Sequence, residues 1–404
     1  MLDLLIVIEA FVFAGMMLGG IPGLALDRTG VALLGAIALL GAGIVSPAAA
    51  TAAVDMPTLA LLFALMVMSA QLRLGGFYTA ITRRLAAAPL GPRALLGLVI
   101  GVVALLSALL ANDIVCLAVA PLLVEGTRRR GWNPKPFLLG LAAAANVGSA
   151  ATLIGNPQNM LIGQRLHVSF AGYLLEGGVP AILGLGVVWG VIALAYRGRW
   201  IEPAFERPAE GRPFSTWQTG KGLAVIAIVV GAFLVSAVPR EVVALVGAGV
   251  LLLSRRMRSR ELLGLVDWHL LVMFVALFIV NHALLASGLL GRLLAEARLH
   301  GAPLDEPPFM FGASVVLSNL VSNVPAVMLL LPTATHPMAA PVLALSSTLA
   351  GNLIVVGSIA NILVVEQARA HGVTLTMREH ARVGVPITIG TLAIAAAWLL
   401  WLSP

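Results

Sequence analysis

The residues of this chain that can do chemistry are concentrated in two polar interruptions of apolar segments. The first is Ser107-Ala-Leu-Leu-Ala-Asn112-Asp113, followed by Gly155-Asn-Pro-Gln-Asn159; the second is Ser318-Asn-Leu-Val-Ser322-Asn323-Val-Pro325, followed by Gly357-Ser-Ile-Ala-Asn361. Amides, hydroxyls and glycines placed this way can hold a small solute through side chains and through backbone groups that an unbroken helix would consume. Gly/Pro-interrupted apolar segments at corresponding places in two halves of a chain point to the binding site of a secondary transporter.

The expected substrate- or ion-binding residues are Asn112, Asp113, Gly148, Thr152, Gly155, Asn156 and Asn159 from the first set. From the second they are Ser322, Asn323, Gly351, Asn352, Gly357, Ser358 and Asn361. The glycines allow close approach and positive φ. Pro121, Pro157, Pro325 and Pro332 can stop or start half-helices, because Pro lacks a donor and clashes with the preceding turn. Half-helix N-termini favour anions, and unwound carbonyls can coordinate Na⁺. Asp113 stands out, since an ionisable group at membrane depth is costly and is read first as functional. It is expected to carry a coupling proton or to answer a bound cation, alongside the plainer role of capping the next helix. Asn112 and Asn323 have a second reading as interhelical hydrogen-bond residues, and Thr152 as a residue bonding its own preceding turn. Asn281 and His282 read as packing residues rather than a proton path.

The elements that must position these groups follow from composition. With 60% hydrophobic and 11% charged residues, the chain is read as an all-α polytopic membrane protein. Cys116 is the single cysteine, which excludes a disulfide within the chain. The first apolar stretch, 4–20, lacks a signal peptide's basic flank and reads as a retained helix. At about 20 apolar residues per crossing, spans are expected near 4–20, 30–46, 56–76, 137–165 and 177–196, then 222–238, 241–254, 268–290, 341–366 and 384–402. Two further blocks, 94–125 and 308–333, have polar centres and read as re-entrant hairpins, while 137–165 and 341–366 read as broken helices. The expected organisation is two inverted repeats, 1–200 and 222–404, joined by a cytoplasmic linker, 201–221.

Direct comparison supports duplication. Arg28 to Gly35 matches Arg240 to Gly247 at five of eight positions, and Asp55 meets Asp267 at the same offset of 212. Ser107 and Asn112 meet Ser318 and Asn323 at 211, and Gly155 and Asn159 meet Gly357 and Asn361 at 202. An odd number of spans per half inverts the second half. The basic residues agree: with the N-terminus outside, 21 of the 25 Lys and Arg fall on the cytoplasmic side, leaving Arg165, Arg240, Arg292 and Arg298 opposite. Both termini are then non-cytoplasmic. The net charge of +7 is an orientation signal, not a nucleic-acid footprint.

Asn112-Asp113, the run Asn146-Val-Gly-Ser-Ala-Ala-Thr-Leu-Ile-Gly-Asn-Pro-Gln-Asn159 and Leu317-Ser-Asn-Leu-Val-Ser-Asn-Val-Pro325 resemble the ion transporter superfamily over nearly the whole chain. That superfamily includes divalent anion/sodium symporters, citrate transporters, arsenical pump membrane proteins and sodium/proton antiporters of the NhaD type. In the symporters each hairpin tip carries Ser-Asn-Thr. Here the tips read Ala111-Asn112-Asp113 and Ser322-Asn323-Val324, closer to the arsenical pump branch and the generic anion permeases. The resemblance implies a scaffold that often dimerises and a site between the two tips and their broken helices.

The expectation is an ion-coupled secondary transporter for a small anion or oxyanion, in the inner membrane and embedded in the lipid bilayer. It needs no cofactor and no nucleic-acid partner; its coupling ion is H⁺ or Na⁺, with Na⁺ near Asn112 and Asn323, and a homodimer is the expected assembly. Arsenite or antimonite efflux, sodium/proton exchange and an anion channel are the alternatives. The sequence has no phosphate-binding loop ending in Gly-Lys-Ser/Thr, no His-Glu-x-x-His and no Gly-x-Ser-x-Gly, which argues against ATP-driven or enzymatic readings.

Overall fold

The computed structural model describes residues 2–21, 23–202 and 214–403, and among these the regular structure is helical. The first half carries α1 (Leu2–Leu18), α2 (Arg28–Gly41), α3 (Pro47–Ala53), α4 (Met56–Leu74), α5 (Phe77–Ala87), α6 (Pro92–Leu109), α7 (Asn112–Arg129), α8 (Lys135–Ser149), α9 (Pro157–Arg165) and α10 (Phe170–Ala195). The second carries α11 (Thr216–Val235), α12 (Arg240–Leu252), α13 (Ser259–Leu263), α14 (Trp268–Ala286), α15 (Leu289–Leu299), α16 (Pro307–Val321), α17 (Asn323–Leu330), α18 (Ala339–Ala350), α19 (Ile359–Ala370) and α20 (Met377–Leu402). Among the described residues six helices, α4, α6, α10, α11, α14 and α20, are long and apolar enough to cross a membrane. The protein is an integral membrane protein.

Matching local signals start matching helices. Asp55 and Asp267 cap α4 and α14 by accepting from Thr58 N and Leu270 N, both at 2.9 Å. Such caps satisfy donors that the first turn leaves without partners. The two helices are each 19 residues long and 212 residues apart. Gly76 and Gly288, at φ 74° and 71°, then open α5 and α15, each 11 residues long. Left-handed φ is easily reached there because glycine has no Cβ. These two short helices fall where the sequence reading placed connecting segments.

The packing is exchanged between halves. α2 lies against α14, and α12 lies against α4, so the second helix of each half is covered by the fourth of the other. With α1 and α11 they form an outer group. The inner group holds the hairpins α6–α7 and α16–α17, the interrupted pairs α8–α9 and α18–α19, and α10 and α20. At its centre α8 is buried from Pro136 to Ser149 and α18 is buried throughout. Helices apolar on all sides belong inside.

Of the expected linker, 203–213, with Arg207 and Arg212, lies outside the described residues. The end of that range is helical, because Ser215 caps α11 and starts it at Thr216.

Candidate functional site

Both central helices stop early. α8 ends at Ser149 and α9 starts at Pro157; α18 ends at Ala350 and α19 starts at Ile359, with one 3-10 turn, Val355–Gly357, between them. The backbone freed in each gap is met by side chains. Asn159 Nδ2 donates to Ser149 O at 3.4 Å and Thr152 O at 3.0 Å; 202 residues later Asn361 Nδ2 donates to Gly351 O at 2.7 Å and Ile354 O at 3.2 Å. The same contact is thus built twice from equivalent positions.

Two hubs join the halves. Asn146, near the end of α8, donates through Nδ2 to Asn352 Oδ1 at 2.9 Å and Asn361 Oδ1 at 3.1 Å. Its Oδ1 accepts from Ser358 Oγ at 2.8 Å and Asn112 Nδ2 at 3.4 Å. Four bonds use the full capacity of the amide. Thr348, 202 positions later in α18, accepts from Asn156 Nδ2 at 3.2 Å and Gln158 Nε2 at 3.1 Å, and donates to Asn159 Oδ1 at 3.3 Å. Ser358 opens α19 without capping it and gives its hydroxyl proton to Asn146, whereas Asn156 caps α9 by accepting from Asn159 N at 2.9 Å.

The hairpin tips close on this core. Asn112 N donates to Gly155 O at 3.2 Å. With its amide turned so that both ends are satisfied, Asn323 donates to Ser347 O at 3.1 Å and Gly357 O at 3.2 Å and accepts from Gln158 Nε2 at 3.2 Å. Ser322 joins α16 to α17 at φ 78° and ψ 159°, a region that an L residue holds only under constraint from its surroundings. Thr152 Oγ1 donates at 2.5 Å to Ala108 O in α6, so this hydroxyl bonds a neighbouring helix rather than its own preceding turn. Gly148 touches the backbone of Ala104 and Gly155 that of Ser149, where a Cβ would overlap. Gly351 and Gly357 are less tightly held, a Cβ there lying 3.2 Å from Ser358 and 3.0 Å from Asn319.

Eleven of the fourteen expected residues therefore meet in one network, while Gly148 packs on Ala104 and Ser322 forms the turn of the second hairpin. Asp113 is set apart: it is half-buried in the first turn of α7, with no hydrogen bond or ion pair among the described residues. Asn281 lies elsewhere, donating to Met328 O at 3.1 Å. The sequence reading passed over Asn146, Gln158, Thr348, Tyr173 and His380. Asn146 sits inside the motif already noted, and its 202-residue offset from Thr348 is the signal that would have found both hubs. Tyr173 OH donates to Ala150 O at 2.8 Å, and His380 Nε2 lies 3.1 Å from Asn352 O.

Among the buried polar atoms of this region that have no partner among the described residues are Asn112 Oδ1, Asn352 Nδ2 and Asn319 Oδ1. The first two belong to side chains that touch Asn146. Such atoms cost about 1–3 kcal/mol each when left unpaired. Two acceptors and a donor, held among amides and hydroxyls, can receive a small hydroxylated or ionic solute.

Comparison with known proteins bears on the family and the fold. The sequence profile of the citrate transporter family, CitMHS, matches residues 4–342. An uncharacterised transporter of Mycobacterium tuberculosis is 31% identical over 93% of this chain and 94% of its own length. The silicon efflux transporter LSI3 of Oryza sativa subsp. japonica is 30% identical over 93% of this chain and 92% of its own. The crystal structure of the Alcanivorax borkumensis YdaH transporter superposes with a TM-score of 0.63 over 99% of this chain and 98% of that one, at 15% identity, a likeness of fold.

Proposed function

From the premise that the chain belongs to the citrate transporter family, a family of membrane transporters, we propose that it is an ion-coupled secondary transporter moving a small anion by alternating access between two inverted halves. The observation that carries this reading is the set of unpartnered atoms beside the Asn146 hub, Asn112 Oδ1 and Asn352 Nδ2, in a network drawn from both halves. Each hub contributes to a site shared by the two halves, so a relative movement of the inner group carries the site with it. The inner membrane is the expected location, with both termini non-cytoplasmic on the distribution of Lys and Arg. Asp113 is the group that would couple flux to H⁺ or Na⁺.

A second reading is efflux of an uncharged oxyacid such as arsenite or silicic acid. Two observations favour it. The network consists of amides and hydroxyls, with no Lys or Arg among its members. The rice relative bears the name of a silicon efflux transporter.

Uptake and counterflow in proteoliposomes test both, with arsenite, silicic acid, phosphate, sulfate, succinate and citrate, and with pH and Na⁺ gradients varied separately. Saturable flux of an anion driven by one gradient supports the first reading; flux of arsenite or silicic acid supports the second. Unsaturable flux of an anion indifferent to either gradient would make it a channel, and Na⁺/H⁺ exchange without solute flux would make it an antiporter. Transport of none of the six solutes overturns both of the readings proposed.

A further inference from the structure

Three consecutive residues at the end of α9 reach from the inner group to the outer one. Gly163 O accepts from Arg240 Nη2 at 2.6 Å, Gln164 Nε2 donates to Glu241 Oε2 at 3.1 Å, and Arg165 Nε pairs with Asp55 Oδ2 at 2.5 Å. Arg240 and Glu241 start α12, and Asp55 caps α4. The Asp55 side chain is 9% exposed, so the ion pair is sheltered at its acidic end. The guanidinium carbon of Arg165 also lies 5.9 Å from the centre of the Phe278 ring in α14. Asp55, Gln164, Arg165, Arg240 and Glu241 all line one cleft of about 900 Å³ between the groups.

The equivalent positions in the other half are Arg28, Thr29 and Asp267 on the outer group and Val365, Glu366 and Gln367 on α19. There the crossing is sparser. Asp267 accepts from Leu270 N in its own helix, and Arg28 reaches Met16 O at 3.2 Å and Val356 O at 3.1 Å. Arg28, Thr29, Asp267, Val365 and Glu366 line a cavity of about 460 Å³. The decisive difference is one residue: Gln367 stands where the first half has Arg165, and an amide cannot form an ion pair with Asp267.

We propose that Asp55–Arg165, flanked by Arg240–Gly163 and Glu241–Gln164, is a one-sided latch that holds the inner group against the outer group and biases the resting conformation. The proposal rests on the alternating-access reading above. In a chain of two related halves, symmetric contacts would weight both end states alike. An ion pair present at one end and lacking its cation at the other weights them unequally. Release of the latch opens the Asp55 end, and no equivalent bond at the Asp267 end replaces it.

The test is alkylation by N-ethylmaleimide of single cysteines in a Cys116→Ala background. Thr58→Cys reports on the Asp55 end, and Leu270→Cys on the equivalent position in α14; both parent residues are buried. Arg165→Gln, which copies the residue of the other half, is expected to raise labelling at position 58 at least threefold and lower it at 270. Asp55→Asn, which keeps a capping side chain, should do the same. Arg165→Lys should stay near the parent, and Gln367→Arg should shift both positions in the opposite direction. Unchanged labelling at 58 in Arg165→Gln and Asp55→Asn overturns the latch and leaves the transport reading to the flux assay. A rise at both 58 and 270 overturns the one-sided latch together with the alternation it rests on.

Discussion

Tyr173 and His380 are each the fourth residue of their helix, α10 and α20, and each holds the carbonyl just beyond the end of a central helix: Ala150 O at 2.8 Å for Tyr173, Asn352 O at 3.1 Å for His380. A carbonyl can only accept, so Nε2 of His380 must carry the proton. Tyr173→Phe and His380→Ala should each destabilise the folded protein by about 1–3 kcal/mol, the cost of a buried acceptor left unpaired. His380→Gln, which keeps a donor of similar reach, should recover part of the loss. Thermal unfolding in detergent checks the order.

Asn146 is the more demanding position. Its amide makes four bonds, three of them to residues of the second half. Asn146→Ala removes a partner from each of Asn112, Asn352, Ser358 and Asn361, at about 1–3 kcal/mol per buried group, and should reduce solute flux at least tenfold, a factor that corresponds to about 1.4 kcal/mol. Asn146→Asp keeps the acceptor but loses the donors to Asn352 and Asn361, and should also fail. Reconstituted flux at matched protein content decides this, and near-normal flux in Asn146→Ala would remove the hub from the mechanism.

Close backbone contact makes a separate prediction. A Cβ at Gly148 meets the backbone of Ala104, whereas a Cβ at Gly178 meets nothing within 4 Å. Gly148→Ala should therefore cost about 1–3 kcal/mol through overpacking. Gly178→Ala should be neutral or stabilising by up to about 1 kcal/mol, because alanine is the better helix former. Unfolding midpoints of the two variants provide the comparison.

Asp113 tests coupling. With no hydrogen bond or ion pair among the described residues, Asp113→Asn should leave thermal stability within about 0.5 kcal/mol of the parent, as for a substitution that breaks no contact. Flux should lose its dependence on the H⁺ or Na⁺ gradient. Equal transport with unchanged gradient dependence in the variant would end the coupling role.

Much of this arrangement is legible in the sequence because its signals are local. The helical membrane class follows from composition. Asp55 and Asp267 announce equivalent helices, and Gly155 and Gly357 with the asparagines that follow mark the breaks. What could not be read there is non-local or chemically disguised. Asn146 is a hub only because α19 of the other half folds against α8. Tyr173 and His380 share a role but no side-chain chemistry, so no comparison of residue types pairs them. α5 and α15 carry too little apolar sequence to stand out from connecting segments, and the positive φ of Ser322 falls on a residue type that gives no sign of it.

The exchanged packing of α2 on α14 and α12 on α4 bears on how the chain is made. α2 has 14 residues, roughly 21 Å of helix against a hydrocarbon core of about 30 Å. Its covering helix ends at Ala286, and at roughly 5–20 residues per second the ribosome delivers that helix some tens of seconds after α2. Through that interval the nascent first half is a short helix waiting for its lid. Whatever shelters α2 during insertion, lipid or insertase, must release it to a partner translated much later, so the packing of α2 is completed only once the second half has been made.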